Sequence, residues 1–319
     1  MSVALFTLGG TISMAGSHRL TGDDLTAAMP GLDELGHEVA IQDIEKMPSA
    51  NLTAAKVLEV VDAASKAVAA GAAGAVVTQG TDTLEESAFL ADLVWPHPQP
   101  LVFTGAMRNP TLAGPDGPAN LLAALRVASS PAARDLGALV VFKEEIHAAR
   151  WVRKTHSTST ATFESPNTGP IGHVIEDRVR VLTRPFRLDG VQGSAEPTEL
   201  DTIRVALYTV TLDDDGLLLR GLADTHQGLV VAGYGVGHVP AALAPVLGEL
   251  AARMPVVLTS RTGAGSVVRN TYHSPGSETD LLQRGLIDGG FLDPYKARIL
   301  LRLLLATDED IAAAFGQYV

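Results

Sequence analysis

TQGTDTLEES, residues 78–87, is the stretch from which the rest of the chain can be interpreted. It follows the short apolar run GAVV, which predicts a buried strand, and it leads into SAFLA, which predicts a helix. Gly80, Thr81 and Asp82 therefore fall between the end of a strand and the start of a helix. In open α/β sheets, ligands bind at that end of the strands, where free backbone N–H groups favour negative charge. The alternative is that Asp82 is only a helix cap, with Glu85 completing a capping box.

Segments predicted to be strands and helices alternate along the whole chain. The predicted strands cover residues 3–8, 38–42, 74–77, 100–104, 136–142, 203–210, 228–232 and 256–259, with a weaker edge strand at 146–153. The predicted helices cover residues 54–70 (capped by Thr53), 87–91, 119–128, 217–223, 241–253 and 294–306. This alternation predicts parallel sheets covered by helices.

The alternating pattern is interrupted near the middle of the chain. Residues 179–199 have little apolar periodicity and contain two prolines and two glycines, which is typical of a linker. We therefore predict an α/β protein with two domains. The larger is an N-terminal parallel-sheet domain of the flavodoxin or Rossmann-like type at residues 1–190. A linker at 191–202 leads to a smaller C-terminal α/β domain at 203–319.

Composition excludes several classes of function. The 319 residues are 46% hydrophobic and 19% charged, and the net charge of −12 argues against a nucleic-acid partner. The sequence contains no cysteine, which excludes disulfides and thiolate catalysis, and the histidines show no metal-ligand spacing such as HExxH. GK[ST] and GxGxxG motifs are absent, so we expect neither a metal nor a cofactor. No apolar run reaches the ~18 residues of a membrane span and no leader-like segment precedes the first strand, so we expect a cytoplasmic protein without a membrane partner.

Three further polar positions complete a possible catalytic set. Thr11 follows the first predicted strand in GGTIS, Ser49 lies between a strand and a helix, and Lys154 precedes a run of hydroxyl residues. Each has an ordinary alternative, namely a glycine turn, turn chemistry or a surface charge. A threonine hydroxyl is a weak nucleophile that needs a base, and a desolvated lysine can be that base. With Thr81 to pass the proton, a carboxylate to hold an ammonium group and backbone N–H groups to receive an oxyanion, the set is suited to metal-free acyl transfer or amide hydrolysis.

Motifs spread over nearly the whole chain resemble the bacterial-type L-asparaginase (asparaginase/glutaminase) family, in the order of that family. They are TLGGTIS (7–13), VVTQGTDTLEESAF (76–89), TGAMR (104–108), DGPANL (116–121), KTHSTSTATFESPNTGPIG (154–172), SRTGAGSV (260–267) and LDPYKARILLRLLLA (292–306). The resemblance implies hydrolysis of L-asparagine to L-aspartate and ammonia through a threonyl acyl-enzyme, with glutamine as a minor substrate. It also implies a homo-oligomer, a dimer or a tetramer, whose sites lie between subunits.

The resemblance also implies a role for each candidate residue. Thr11 matches the threonine that forms the acyl-enzyme, and Thr81, Asp82 and Lys154 match a second triad. The expected substrate-binding residues are Gly10, Ser49, Gly80, Thr81, Asp82, Ala106 and His238. Among these, Asp82 is expected to bind the α-amino group and Ser49 the α-carboxylate.

The chain departs from the pattern of this family around Thr11. The N-terminal loop reads HRLT at 18–21 and lacks the tyrosine often found there, and Ala50 replaces a common glutamine. His238 stands where the partner chain often contributes an asparagine, and no acidic residue is evident after the TGAG loop, where Asn270 is followed by threonine and tyrosine. Two alternatives stay open. One is an asparaginase-like amidotransferase subunit, which usually has an extra N-terminal domain, and the other is a non-catalytic sensor of small amino acids.

Overall fold

A computed structural model describes residues 2–15, 18–27, 29–188, 190–191, 197–307 and 309–318. It divides into two compact units, Met1–Gly190 and Val191–Val319. The predicted linker at 191–202 includes residues 192–196, which lie outside the described residues, and Pro197–Thr202 forms a helix. No helix among the described residues is both long enough and apolar enough to cross a membrane.

The larger unit is built on a mixed β-sheet with helices packed against it. Its strands are β1 (Ser2–Thr7), β2 (Met14–Ala15), β3 (His18–Arg19), β4 (Glu38–Asp43), β5 (Ala75–Thr78), β6 (Leu101–Thr104), β7 (Ala138–Phe142), β8 (Glu145–Ala148), β9 (Arg153–Lys154), β10 (Phe163–Glu164), β11 (Gly172–Ile175) and β12 (Arg178–Val181). Its helices are α1 (Gly22–Ala27), α2 (Ala54–Ala69), α3 (Leu84–Val94) and α4 (Gly117–Ser129).

Eight of these strands form one sheet in the order β12-β11-β8-β7-β6-β5-β1-β4. The five strands from β7 to β4 pair in parallel, as predicted. Numbered along the chain, they lie in the order 2-1-3-4-5, which is the flavodoxin-like order. The α/β fold class is confirmed, and the strand order reverses between β1 and β5.

The sheet is mostly parallel, as predicted, but one edge of it is antiparallel. Strands β8, β11 and β12 join antiparallel to one another and to β7. The reason is the turn at Lys143 and Glu144, whose φ angles of 50° and 64° form a two-residue hairpin. A connection of two residues can only join antiparallel strands, whereas a parallel pair needs a long crossover. β12 also shows that residues 179–181, predicted to be linker, belong to the sheet.

The core of the larger unit follows from the apolar strands and the helices that cover them. β5, β6 and β7 are buried along their whole length. The predicted cap of α2 is confirmed, because the Thr53 side chain accepts the backbone N–H of Lys56 at 3.2 Å. α2 buries residues three or four apart, as an amphipathic helix does when it packs on a sheet: Val57, Val60, Val61, Ala64 and Val68.

The smaller unit contains a second, fully parallel sheet. Its strands, in sheet order, are β13 (Val205–Thr209), β14 (Gly228–Gly233), β15 (Val256–Ser260) and β16 (Ile287–Asp288). Its helices are α5 (Pro197–Thr202), α6 (Leu243–Ala251), α7 (Glu278–Gln283), α8 (Pro294–Leu304) and α9 (Ile311–Tyr318). The predicted helix at 217–223 is wrong: two 3-10 turns replace it, each preceded by a glycine in the left-handed region, Gly216 (φ 68°) and Gly221 (φ 72°). Glycine supplies that conformation at no steric cost, and it ends the α-helical path.

Candidate active site

Two turns meet at the carboxyl ends of the neighbouring strands β1 and β5. Gly10, after β1, has a φ of 87°, and a Cβ added there would lie 2.2 Å from the backbone nitrogen of Gly80, after β5. Only glycine allows this close approach of the two backbones. Thr11 and Thr81 each begin a 3-10 turn, Thr11–Ser13 and Thr81–Thr83. Both threonines therefore lie at the point where the strand order reverses, which is where ligands bind in such sheets.

Three of the predicted catalytic residues contact one another directly. Lys154 Nζ donates to Thr81 Oγ1 at 2.9 Å and to Asp82 Oδ1 at 2.8 Å. The lysine side chain is only 15% exposed, whereas the aspartate is 69% exposed. Thr81 is buried, and its hydroxyl donates to Met107 Sδ at 3.3 Å. The arrangement links a hydroxyl to a largely buried amine, with a carboxylate that faces solvent beside them.

The capping-box alternative for Asp82 and Glu85 is wrong. α3 begins at Leu84, so its N-cap is Thr83 and not Asp82, and the Thr83 side chain makes no capping hydrogen bond. The Glu85 carboxylate instead accepts the backbone N–H of Lys154, with Oε2 at 2.8 Å. Since Glu85 is itself buried, it fixes the backbone of the lysine against the helix that follows Thr81.

The hairpin of β9 and β10 holds Lys154 from the other side. Lys154 pairs with Phe163 in this hairpin. Ser165, directly after β10, contacts His147 of β8, with 2.9 Å between Oγ and Nδ1, and both side chains are buried. Burial lowers the pKa of His147 to about 4, and nearby His173 adds to the effect. A neutral imidazole therefore anchors the segment that follows the hairpin.

Ser49 lies against the turn that contains Thr81 and Asp82. Its side chain is buried, and Oγ accepts the backbone N–H of Asp82 at 3.2 Å. Its carbonyl oxygen accepts the hydroxyl of Thr83 at 3.1 Å. A Cβ on Gly80 would lie 2.6 Å from Ser49 Oγ, so this glycine also permits a close approach. Ser49 uses its oxygen as an acceptor, and its hydroxyl proton can still be donated to a ligand.

The turn after β6 brings Ala106 and Met107 to the same end of the sheet. The Asp116 carboxylate accepts the backbone N–H groups of Met107 (3.0 Å) and Arg108 (2.8 Å). Asn120 Nδ2 donates to the carbonyl of Gly105 at 3.0 Å and to Asp116 Oδ2 at 3.1 Å. Sequence reasoning quoted TGAMR and DGPANL only as motifs. The sequence near residues 107 and 108 does not indicate that Asp116 binds their backbone, because it is eight residues or more away. Nothing in the sequence indicates that Met107 contacts Thr81 either.

His238 is the predicted site residue that belongs to the smaller unit. Its Nε2 lies 3.2 Å from Glu278 Oε2, and its ring meets Tyr272 edge to face at 4.7 Å. Glu278 is fully buried, and its Oε1 accepts the backbone N–H groups of Thr271 (2.9 Å) and Tyr272 (2.7 Å). Burial alone would raise the pKa of Glu278, but these donors and His238 outweigh it and lower the pKa. Sequence reasoning missed this carboxylate, because it is six residues beyond the segment that it supports.

The structure describes only part of the loop around Thr11. Ser13 donates its backbone N–H and its hydroxyl to the carbonyl of Gly10, both at 3.1 Å, which closes the turn. The loop that follows contains β2, β3 and α1, and residues 16 and 17 of it lie outside the described residues. In the part of the chain that the structure describes, no group of three or more histidine, aspartate or glutamate residues could hold a metal ion.

Comparison with known proteins gives matches along the whole chain. The family model "Asparaginase, N-terminal" matches residues 2–187, and "Glutaminase/Asparaginase C-terminal domain" matches residues 204–315. The chain is 35% identical to the probable L-asparaginase of Deinococcus radiodurans, over 99% of this chain and 98% of that protein. It is 33% identical to the L-asparaginase of Bacillus licheniformis, over 96% and 95%. The crystal structure of a probable cytoplasmic L-asparaginase from Campylobacter jejuni superposes with a TM-score of 0.88 at 29% identity, over 99% of each chain.

Proposed function

Because the chain belongs to the asparaginase family, we propose that it hydrolyses L-asparagine to L-aspartate and ammonia. The observation that supports this best is the contact of Lys154 Nζ with both Thr81 Oγ1 (2.9 Å) and Asp82 Oδ1 (2.8 Å). This group lies at the end of the strand next to the one that leads to Thr11. It supplies a base, a hydroxyl relay and an anion for a substrate ammonium in one place.

The proposed reaction has two steps. Thr11 Oγ attacks the side-chain carbonyl carbon of asparagine, the hydroxyl proton of Thr11 is transferred to the amide nitrogen, and the C–N bond breaks to release ammonia. Water then attacks the threonyl ester, and Thr81 passes a proton of that water to Lys154 in its neutral amine form. The ester C–O bond breaks, and the proton returns to Thr11 Oγ, which restores both the nucleophile and the base. Backbone N–H groups of the turn at Gly80 and Thr81 stabilise the oxyanion in each step.

The proposed substrate contacts follow from exposure and hydrogen-bonding capacity. Asp82 is 69% exposed and keeps Oδ2 available for the α-ammonium group while Oδ1 contacts Lys154. The Ser49 hydroxyl proton can be donated to the α-carboxylate. Gly10, Gly80 and Ala106 line the same end of the sheet with backbone groups. Glutamine is one methylene longer, and a fitted pocket discriminates by about 1–3 kcal/mol per methylene, so asparagine is the preferred substrate.

The proposal extends to assembly and location. The functional form is a homo-oligomer, a dimer or a tetramer, in which the partner's His238 completes each site. A cytoplasmic location is supported by the description of the Campylobacter jejuni relative as cytoplasmic.

The test is ammonia release by the purified protein from L-asparagine, L-glutamine and D-asparagine. Thr11→Ala and Thr81→Ala should each lower kcat for L-asparagine by about 10³-fold or more, because a covalent nucleophile and its relay are lost. Both variants should keep the wild-type circular dichroism spectrum. Thr225→Ala is the matched control, since that hydroxyl is exposed and bonds the carbonyl of Leu222. Near-normal ammonia release from Thr11→Ala or Thr81→Ala would refute the assignment, and tight binding without turnover in the wild type would support a sensor instead.

A further inference from the structure

The hydroxyl of Thr81 has one proton and two neighbours that compete for its orientation. When Lys154 is a charged ammonium group, it has three donors and no acceptor. Its Nζ then donates to Thr81 Oγ1 at 2.9 Å and to Asp82 Oδ1 at 2.8 Å. The Thr81 proton points instead at Met107 Sδ, 3.3 Å away, and a thioether sulfur can only accept. The heavy-atom positions of Lys154, Thr81 and Met107 in the structure fit this arrangement.

The proposed relay needs a different arrangement of the same groups. A neutral lysine amine has a free lone pair, so the Thr81 hydroxyl must turn from Met107 to Lys154 before it can pass a proton. The two arrangements therefore differ both in the charge of Lys154 and in whether the sulfur holds the hydroxyl. We infer that Met107 is a positioning residue, which holds the Thr81 hydroxyl whenever Lys154 is charged and so sets the pH above which the relay operates. The inference rests on the proposed function only for the role of the relay.

The position of Met107 is fixed by its backbone. The Asp116 carboxylate accepts the Met107 N–H at 3.0 Å, the preceding Ala106 is buried, and the Met107 side chain is half-buried. Charged and titratable groups on the elements around Lys154 are Asp82, Glu85, Glu86, Asp92, Arg108, Asp116, Arg153, His156 and Glu164. All of them stay present when Met107 is replaced. A substitution at residue 107 therefore changes the hydrogen-bond acceptor of the Thr81 hydroxyl and leaves every charge around Lys154 in place.

Removal of the sulfur should favour the neutral lysine. Met107→Leu has nearly the same volume and no acceptor. In the charged arrangement the Thr81 hydroxyl then loses its partner, whereas in the neutral arrangement it keeps Lys154. From the usual size of a hydrogen bond, the protonation midpoint of Lys154 should fall by about 0.3–1 pH unit. Met107→Gln presents an amide oxygen, a better acceptor than a thioether, and should leave the midpoint at or above that of the wild type.

The midpoint can be measured without any substrate. Trace acetylation of the intact protein with acetic anhydride over a pH series, followed by mass spectrometry, reports the fraction of Lys154 that is neutral. The control is Met29→Leu, because Met29 is buried in the core of the same unit and should leave the midpoint unchanged. A lower midpoint in Met107→Leu alone supports the inference. An unchanged or raised midpoint in Met107→Leu overturns it, and so does an equal fall in Met107→Gln.

The pH dependence of kcat for L-asparagine, measured on the same proteins, decides a separate question. If the labelling midpoint falls in Met107→Leu and the acid limb of kcat falls with it, both the inference and the role of Lys154 as base are supported. If the labelling midpoint falls while the acid limb stays, the hydrogen-bond inference holds and the base of the proposed function is wrong.

Discussion

Lys154 has two contacts that depend on its ammonium nitrogen, one to Thr81 and one to Asp82. Lys154→Met keeps the length of the side chain and removes both contacts together with the base. Loss of a general base costs about 10²–10⁴-fold in rate, so kcat for asparagine should fall by that factor. Lys66→Met is the matched control, because Lys66 also pairs with an aspartate, Asp62, on an exposed helix surface. An active Lys154→Met enzyme would place the base elsewhere.

Among single residues, the polar side chains at predicted strand ends or beside hydroxyl-rich runs could be predicted as candidates from the sequence. Thr11, Thr81 and Asp82 follow predicted strands, and Lys154 precedes a hydroxyl-rich run. The last three contact one another in the structure. Their supporting residues were not predictable. Glu85 accepts a main-chain N–H that lies 69 residues away in sequence, so nothing local marks it.

At the scale of elements, the turns after β1 and β5 depend on each other through Gly10. An alanine Cβ at this position would lie 2.2 Å from the nitrogen and 2.4 Å from the Cα of Gly80, so the two turns must separate. Gly10→Ala should abolish turnover and lower the free energy of unfolding by more than the roughly 1–2 kcal/mol cost of a positive φ alone. Gly36→Ala measures the cost of a left-handed residue without a clash, because Gly36 has a φ of 68° and nothing within 4 Å of the added Cβ. Gly10 has a φ of 87° and a ψ of −173°, a region that almost only glycine adopts, so its backbone cost adds to that of the close contact. Urea denaturation with equal midpoints for the two variants would contradict the close contact.

The contact between β8 and the segment after β10 should make the larger unit sensitive to acid. The pKa of His147 is about 4 in the folded protein, below the ordinary value of 6.5. Between these two pH values the unfolded chain binds a proton that the folded chain does not, so stability is full above pH 6.5 and falls as the pH drops towards 4. At 1.36 kcal/mol per pH unit, the loss is on the order of 3 kcal/mol.

His147→Gln removes this titration and can still bond Ser165. Its free energy of unfolding, measured in urea at several pH values, should therefore fall less steeply than that of the wild type over this window. His273→Gln, at an exposed position of the smaller unit, is the control and should follow the wild-type slope. Parallel slopes for His147→Gln and wild type would show that His147 already binds its proton in the folded state.

Connections explain which elements were predictable. Strands joined by helices, such as β1, β5 and β6, follow from the alternation of apolar runs and helical patterns. The antiparallel edge does not, because its hairpins turn at Lys143-Glu144 and Glu176-Asp177 without the Asn-Gly or Asp-Gly pair that signals such turns. Three of these residues, Lys143 (φ 50°), Glu144 (φ 64°) and Glu176 (φ 56°), adopt positive φ angles, which residues other than glycine rarely do.

For the whole molecule, the α/β class was predictable from alternation, but the position of the site was not. Thr11 and Thr81 are 70 residues apart, and only the order 2-1-3-4-5 makes β1 and β5 neighbours. The alternation of strands and helices predicts that the strands are parallel, but it does not predict their order in the sheet. The family resemblance predicted that both threonines belong to one site. In the structure their turns are neighbours because β1 and β5 pair in parallel.

The proposed oligomer, in which each site takes residues from two subunits, can be tested by mixing two impaired variants. If the partner's His238 completes each site, Thr11→Ala and His238→Ala chains should each be impaired alone and should complement each other when they are mixed. In a mixed dimer one site has both defects and the other has none, so the purified mixed dimer should have about half of wild-type activity. Chains are mixed by co-expression with two affinity tags, and turnover is measured on the doubly tagged fraction.

The pair Thr11→Ala and Thr81→Ala is the control, because both residues belong to the larger unit of one chain and every mixed site keeps one defect. Recovery in neither pair would place His238 outside the site, and recovery in both would show that the threonines come from different subunits.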